Sequence, residues 1–423
     1  MAALFLLLVF FVAALPLGAQ DLSGTTVLGT TATEIVSPPG VEAPVLASQA
    51  AVLMDAATGV TLYNKNGNAV ISPASLTKLM TIHIALEEVA EGRASLEETV
   101  DLPRQSWAIS QPPRSSLMFL GAGQQVNLMD LLLGLAVSSG NDAAVAVALR
   151  FAPDIEGFAE RMNRESREFG MMHTRFVEPS GISEYNITTA MEFAFFCREY
   201  LALHPEALRN YHSVVEFAYP KAENVAEPYR ENPKTMVQRN RNTLLGEVEG
   251  VDGLKTGYID EAGYNIALTA ERKGVRFVAV ILGAPAVPGG DRIRDEDGRT
   301  LLEWGFDNFT TLRAASPPPE PVRVWKGRTK RVEIIPVDGE KTGTDGYAWA
   351  LTTYAGRGGS LRWETEFIDP LIAPLPAGSA AGTLILSDEF GELKRIPLIT
   401  AGSVERGNFF KRFWDSLVLF FKS

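Results

Sequence analysis

The sequence predicts an α/β mixture of the α+β kind: an antiparallel sheet flanked by helices, then a C-terminal all-β sandwich and a terminal amphipathic helix. Three observations predict it. Strand pairs with tight turns stand at both ends of the first 313 residues with helical patterns between them, so sheet neighbours are made by hairpins and not by parallel crossovers. The run Ser316-Pro-Pro-Pro-Glu-Pro321 is a stiff break in the chain. Beyond it, short β-rich segments alternate with Gly and Pro. A chain of 423 residues has room for two or three such domains, each burying its own core.

Taken in order, the stretch 4–15 is apolar without interruption, Pro16 and Gly18 break it, and Ala19 precedes Gln20. Residues 1–19 therefore read as an export signal cleaved there, with an uncleaved anchor as the alternative. Residues 20–45, rich in Thr, Ser, Pro and Gly, read as an irregular leader. Ala51-Val-Leu-Met-Asp55 and Val60-Thr-Leu-Tyr-Asn64 flank Ala-Thr-Gly and form a hairpin. Ser72-Pro73 leads into a helical pattern over 75–89, and a second helical pattern, 129–149, is broken at Ser138-Ser-Gly-Asn141. Cys197 lies in a third, strongly apolar helical pattern and reads as a buried core thiol. The segments 264–272 and 275–283, joined by Lys-Gly, make a second hairpin of long strands. The expected organisation is a domain over 46–313, a Pro-rich linker over 314–321, a β sandwich over 322–401 and a helix over 402–423, with no internal repeat.

In that last segment, Phe409, Phe410, Phe413, Trp414, Leu417, Val418, Phe420 and Phe421 share one arc of a helix. Lys411, Arg412, Asp415, Ser416 and Lys422 share the other. A basic, aromatic-rich amphipathic helix suits the surface of an anionic bilayer, and residues 404–423 are expected to bind one. The chain as a whole is acidic, with a net charge of −12, and no long basic run occurs, so no nucleic-acid partner is expected. One cysteine excludes an internal disulfide framework and a Cys-ligated metal. His83, His173, His204 and His212 are scattered and contain no His-Glu-x-x-His, so no metal and no cofactor is expected.

Three short motifs carry chemistry. Ser75-Leu-Thr-Lys78 places a hydroxyl at the start of a helix, where backbone N–H groups are unpaired, with an amine one turn on along the same face. A lysine tucked against an apolar core loses its proton near neutral pH and serves as a base. A plain helix cap beside a solvated lysine is the ordinary alternative. Ser139-Gly-Asn141 offers a hydroxyl and a carboxamide at a helix break, which a simple helix-ending turn also explains. Lys255-Thr-Gly257 puts an ammonium, a hydroxyl and a glycine on a strand, suited to a carboxylate and to close backbone approach. A second Lys-Thr-Gly, 341–343, lies across the Pro-rich break and reads as a polar turn.

These three motifs in this order, with the flanks Ile71-Ser-Pro-Ala, Asn240-Arg-Asn-Thr-Leu-Leu245 and Tyr258-Ile-Asp-Glu-Ala-Gly-Tyr-Asn265, resemble the D-alanyl-D-alanine carboxypeptidases. These are low-molecular-mass penicillin-binding proteins with a C-terminal β domain and a terminal amphipathic anchor. The resemblance covers about residues 46–313 by motif, and implies a penicillin-binding/β-lactamase-like fold. It implies Ser75 as nucleophile toward the carbonyl between the two terminal D-alanines of a peptidoglycan stem pentapeptide, Lys78 as its base and Ser139 as proton relay. It further implies Asn141 on the acyl-side amide, Lys255, Thr256 and Arg294 on the terminal carboxylate, Gly257 at the strand edge, and the N–H groups of Ser75 and Tyr258 as oxyanion hole. Arg294 is preferred to Arg292 because it stands ten residues before Trp304-Gly-Phe306. β-Lactams are the implied covalent inhibitors.

The sequence departs from the family at Tyr258, where histidine is frequent, and at Glu178 in Glu-Pro-Ser-Gly-Ile182, where an amide is usual. The stretch between Arg272 and Trp304 is about four residues longer than the family's. Glu178 lies between the second and third motifs, which makes it the candidate deacylation base of a β-lactamase reading. A D,D-endopeptidase acting on crosslinks with the same residues, and a non-catalytic peptidoglycan scaffold, also compete with the carboxypeptidase reading.

Overall fold

A computed structural model describes residues 40–422 except Pro228, Thr344 and Asp345; the signal and most of the leader lie outside the described residues. Five antiparallel strands form the first sheet, in the order Thr61–Lys65, Ala50–Asp55, Val275–Ala284, Gly263–Arg272, Val251–Ile259. Both expected hairpins are present, at 50–65 and 263–284. In Val275–Ala284 the residues Phe277, Ala279 and Ile281 enter one core, and Val278, Val280 and Leu282 the other. From Phe277 to Leu282 the strand is apolar because both its faces are covered, so no polar alternation shows there.

The larger core lies under a helical layer: α1 (Lys78–Ala90), α2 (Leu128–Leu133), α3 (Asn141–Phe151), α4 (Ile155–Glu168) and α5 (Ala190–Leu203). The fully buried Cys197 sits on α5, as its surroundings in the sequence predict. The opposite face is covered by α6 (Gly290–Asn308), whose Leu301 and Leu302 pack on Leu268 and Ile281. The helical pattern after Ser72-Pro73 begins as a 3-10 turn, Ala74–Thr77, and becomes α-helical only at Lys78.

The second region is all β, with its own core of Val324, Trp349, Leu351, Leu384, Ile396 and Leu398. Its first sheet starts before the Pro-rich break: Phe309–Ser316 pairs residue for residue with 347–354 of Gly346–Tyr354. The boundary drawn at 313/314 thus falls inside a strand, since the prolines stop chain pairing only after Ser316. The Lys341-Thr-Gly343 stretch lies on an exposed edge strand of that sheet, far in the topology from the first. Across the junction, the buried Asp55 of the first sheet accepts hydrogen bonds from Thr311 and Thr352 of the second region, both at 2.7 Å.

The terminal helix, α7, spans Phe409–Lys422. It begins later than the sequence suggests, because Val404 is buried in the β core and bridges to Leu375. The helix docks by its polar side: Asp415 is buried and accepts from Lys326 N–H at 2.6 Å and Lys411 Nζ at 3.0 Å. Its aromatic side faces outward, with Phe410 82% and Phe421 79% exposed. Among the described residues no helix is long and apolar enough to cross a membrane.

Candidate active site

The fold brings the three motifs to one place. Ser75 lies in the 3-10 turn, and Lys78 follows as the first residue of α1. The helix broken at 138–141 resolves into α2, a π turn over Gly134–Ser138, Ser139 in the left-handed region (φ 58°), and then α3 from Asn141. A serine at positive φ is strained, and the position ejects its side chain from both helices. Asp142 holds this corner. Its buried carboxylate accepts from the N–H groups of Met118, Phe119, Leu120 and Ala143, at 2.8 to 3.0 Å. Lys255, Thr256 and Gly257 lie on Val251–Ile259, the outer strand of the sheet.

Lys78 is fully buried, and its Nζ has three neighbours: Ser75 Oγ at 2.9 Å, Asn141 Oδ1 at 2.8 Å and the Ser180 carbonyl at 2.5 Å. Burial pushes its pKa down to about 7, with the Arg241 cation adding to the effect and the Glu178 and Asp142 carboxylates opposing it. A neutral amine has two N–H donors and one lone pair. The carboxamide oxygen and the carbonyl accept only, so they take both donors, and the lone pair is left for the Ser75 hydroxyl.

Lys255 is also buried, and its Nζ contacts Ser139 Oγ and the Thr256 carbonyl, each at 2.9 Å. Its pKa is lowered well below the ordinary lysine value, first by burial and then by the cations of Lys78, Arg241 and Arg294. Two amines and two arginines around one site make it an anion receptor. Arg294 sits buried on α6 with Nε and Nη2 both on Asp295 Oδ1, at 2.8 and 2.6 Å, so it reaches the site through its field. Tyr258 is 41% exposed, its ring 4.3 Å from that of Tyr264 and its hydroxyl bonded to Asp260.

Two glycines are required by close approach. A Cβ on Gly257 would come within 2.8 Å of the Pro73 carbonyl and 2.9 Å of Ser75 N, which is how the outer strand lies against the nucleophile. Gly181 has φ +79°, and a Cβ there would sit 1.8 Å from the Ala74 carbonyl.

Glu178 turns inward to its own loop. Oε2 accepts from Ser180 N–H and Oγ, and Oε1 from Gly181 N–H and Asn186 Nδ2, at 2.5 to 3.0 Å. Both oxygens are committed to donors of this loop, which fixes the carbonyl that Lys78 uses. The sequence reading missed Arg241, Asp142 and Ser180. Asp142 carried a weak signal as an acid in the first turn of a helix. Ser180 carried none, since it acts through its main chain.

Comparison with known proteins agrees with this geometry. Residues 37–286 match the family model described as D-alanyl-D-alanine carboxypeptidase. The chain belongs to the D-alanyl-D-alanine carboxypeptidase family. Its members are serine peptidases. Among this family's characterised members, the chain is similar to D-alanyl-D-alanine carboxypeptidase DacC of Escherichia coli, 32% identical over 90% of each chain. Among solved structures it resembles penicillin binding protein 5 from Haemophilus influenzae, with TM-score 0.72 and 28% identity, over 87% of this chain and all of that one. It also resembles penicillin-binding protein D2 from Listeria monocytogenes in the ampicillin-bound form, with TM-score 0.52 and 30% identity, over 62% of this chain and 98% of that one. The carboxypeptidase-family fold thus comprises the N-terminal α/β domain and the C-terminal β domain described above.

Proposed function

We propose that this chain removes the terminal D-alanine from peptidoglycan stem pentapeptides through an acyl-enzyme on Ser75. The observation that carries the reading is the buried Lys78 Nζ held 2.9 Å from Ser75 Oγ by two further acceptors, so that the amine, once neutral, turns its lone pair to that hydroxyl. Ser75 Oγ attacks the carbonyl between the two D-alanines as Lys78 takes its proton, and the N–H groups of Ser75 and Tyr258 receive the developing oxyanion. The C–N bond then breaks. Ser139, its oxygen already accepting from Lys255, passes a proton to the departing amine. Asn141 gives its Oδ1 to Lys78, so its Nδ2 is the end that holds the acyl-side carbonyl. Lys255, Thr256 and the field of Arg294 bind the terminal carboxylate, and Gly257 lets the substrate lie along the strand. Water hydrolyses the ester and restores Ser75. A β-lactam mimics the D-Ala-D-Ala end and leaves a slow adduct on the same oxygen; a relative's structure in the ampicillin-bound form supports this.

The same proposal places the protein outside the cytoplasm, with α7 lying on the outer surface of the cytoplasmic membrane. The support is the orientation of α7, whose buried carboxylate faces the body while its aromatic side faces out. The test of the activity is Ser75→Ala assayed for D-alanine release from a pentapeptide, and unchanged release would sink the nucleophile. Running the parent protein on a crosslinked muropeptide and a chromogenic cephalosporin separates the carboxypeptidase from an endopeptidase and a β-lactamase. Pentapeptide turnover should exceed both; faster cephalosporin hydrolysis would favour a β-lactamase.

A further inference from the structure

Two histidines far apart in the sequence meet in the fold. His83 on α1 and His204, the C-terminal cap of α5, are both buried, with His83 Nδ1 2.8 Å from His204 Nε2. Glu87, one turn after His83 on α1, brings Oε1 to 3.4 Å from His204 Nε2, and the three donor atoms lie within 4.8 Å of one another. On the far side, Glu165 of α4 sets Oε2 3.9 Å from His83 Nε2. The rings are held edge-on by Phe169 and Phe196 against His83 and by Tyr200 against His204. A polar contact between two imidazoles explains the first distance. It does not explain a carboxylate at the junction, with a second, which also pairs with Arg161 at 3.6 Å, standing 3.9 Å from the outer ring nitrogen.

We propose that His83, Glu87 and His204 form a binding site for a divalent transition metal of the zinc class, with Glu165 orienting His83. Two imidazole nitrogens and one carboxylate oxygen are a donor set that Zn²⁺ accepts. Bonds of about 2.0–2.2 Å at tetrahedral angles place donor atoms ~3.3 Å apart, so the Glu87–His204 edge already fits and the His83–His204 edge needs to open by about half an ångström. Spacing i, i+4 puts His83 and Glu87 on one face of α1. A carboxylate facing His83 Nε2 favours the proton there and leaves a lone pair on Nδ1. In the metal-free protein His204 Nε2–H then donates to that lone pair. On binding, this proton moves to His204 Nδ1 through solvent, so the exchange of tautomers releases no net proton. Glu87 is the least buried of the three, and its side would give an entry route and room for a water as fourth ligand. The ion would pin the helix that begins with Lys78 to the end of α5.

The test uses the full chain, freed of metal by a chelator and titrated with Zn²⁺ alone by calorimetry. One equivalent per chain is expected, with a rise in Tm. His204→Gln and Glu87→Gln should remove that binding. Glu165→Gln should weaken it about 10–100-fold, as loss of an orienting carboxylate does at known sites. Labelling of Ser75 by a fluorescent penicillin in each variant verifies that the domain is folded. Absence of saturable Zn²⁺ binding in the parent overturns the site. So does binding that survives His204→Gln but is lost in His173→Gln, which would assign the ion to the exposed His173–Glu192 pair.

Discussion

Replacing Lys78 by Met separates the cost of burying an amine from the use the site makes of it. Burial takes Lys78 from 10.5 down to about 7. That gap of about 3.5 units, at ~1.4 kcal/mol each, opposes the folded state by ~5 kcal/mol wherever both states carry the proton. Because the folded pKa is depressed, the unfolded chain binds more protons between the two values. Stability therefore rises with pH through that window, and below it the full cost remains. Lys78→Met removes this cost but strands the Asn141 Oδ1 and Ser180 carbonyl acceptors, at about 1–3 kcal/mol each. At neutral pH the two effects nearly offset, so variant and parent should lie within about 2 kcal/mol of each other. Moving about two units more alkaline should shift the comparison toward the parent by ~2 kcal/mol. Urea unfolding of both proteins across this range, followed on the transition of the α/β domain, measures the shift directly. The same variant should lose Ser75 acylation by about 10²–10⁴-fold, the usual worth of a positioned base, while the parent's rate rises with a midpoint near 7. A stability difference that stays flat with pH would show that Lys78 titrates alike folded and unfolded, and the base assignment would fall with it.

Gly181→Ala should displace the Ala74 carbonyl, the residue before the nucleophile, and slow penicillin acylation about 10²-fold with little change in the β domain. Rates equal to the parent's would mean the loop yields freely. Asp142→Asn should strand at least two of the four N–H donors now on its carboxylate, lowering stability by about 2–6 kcal/mol in thermal or urea unfolding. Truncation before Phe409 should release the protein from membrane fractions while turnover of soluble substrate is kept; a truncated chain that still sediments with membranes would point to the N-terminal segment instead.

Much of the site was legible because its chemistry rests on side chains at short, fixed spacings. Ser75 and Lys78 are one turn apart, and Ser139 and Asn141 straddle a helix break that the sequence itself marks with Ser-Ser-Gly. The two hairpins were equally legible, since each is closed by local turn chemistry. What was not legible depends on contacts between distant segments. Ser180 contributes a carbonyl, which any residue would supply, and only the turn geometry set by Glu178 selects it. Glu178 itself reads in sequence as a free acid, and only the folded loop shows its oxygens committed to N–H and hydroxyl donors. Arg241 stands in the sequence as one residue of a flank, yet its charge acts on both lysines. The start of the second sheet at Phe309 was hidden because its partner strand ends at Tyr354, on the other side of the prolines. The meeting of His83 and His204 was hidden by a separation of 121 positions along the chain.

The two threonines that donate to Asp55 have a mechanical meaning. Asp55 ends a strand of the first sheet, so a tilt of the second region about the prolines must first break the part-buried bonds from Thr311 and Thr352. The body then behaves as a bracket of fixed pitch and not as two beads on a string. If α7 lies on a membrane as proposed, a fixed pitch sets one standoff height for Ser75. Which stem peptides come within reach of Ser75 would then be chosen by this junction as much as by the groove that holds them.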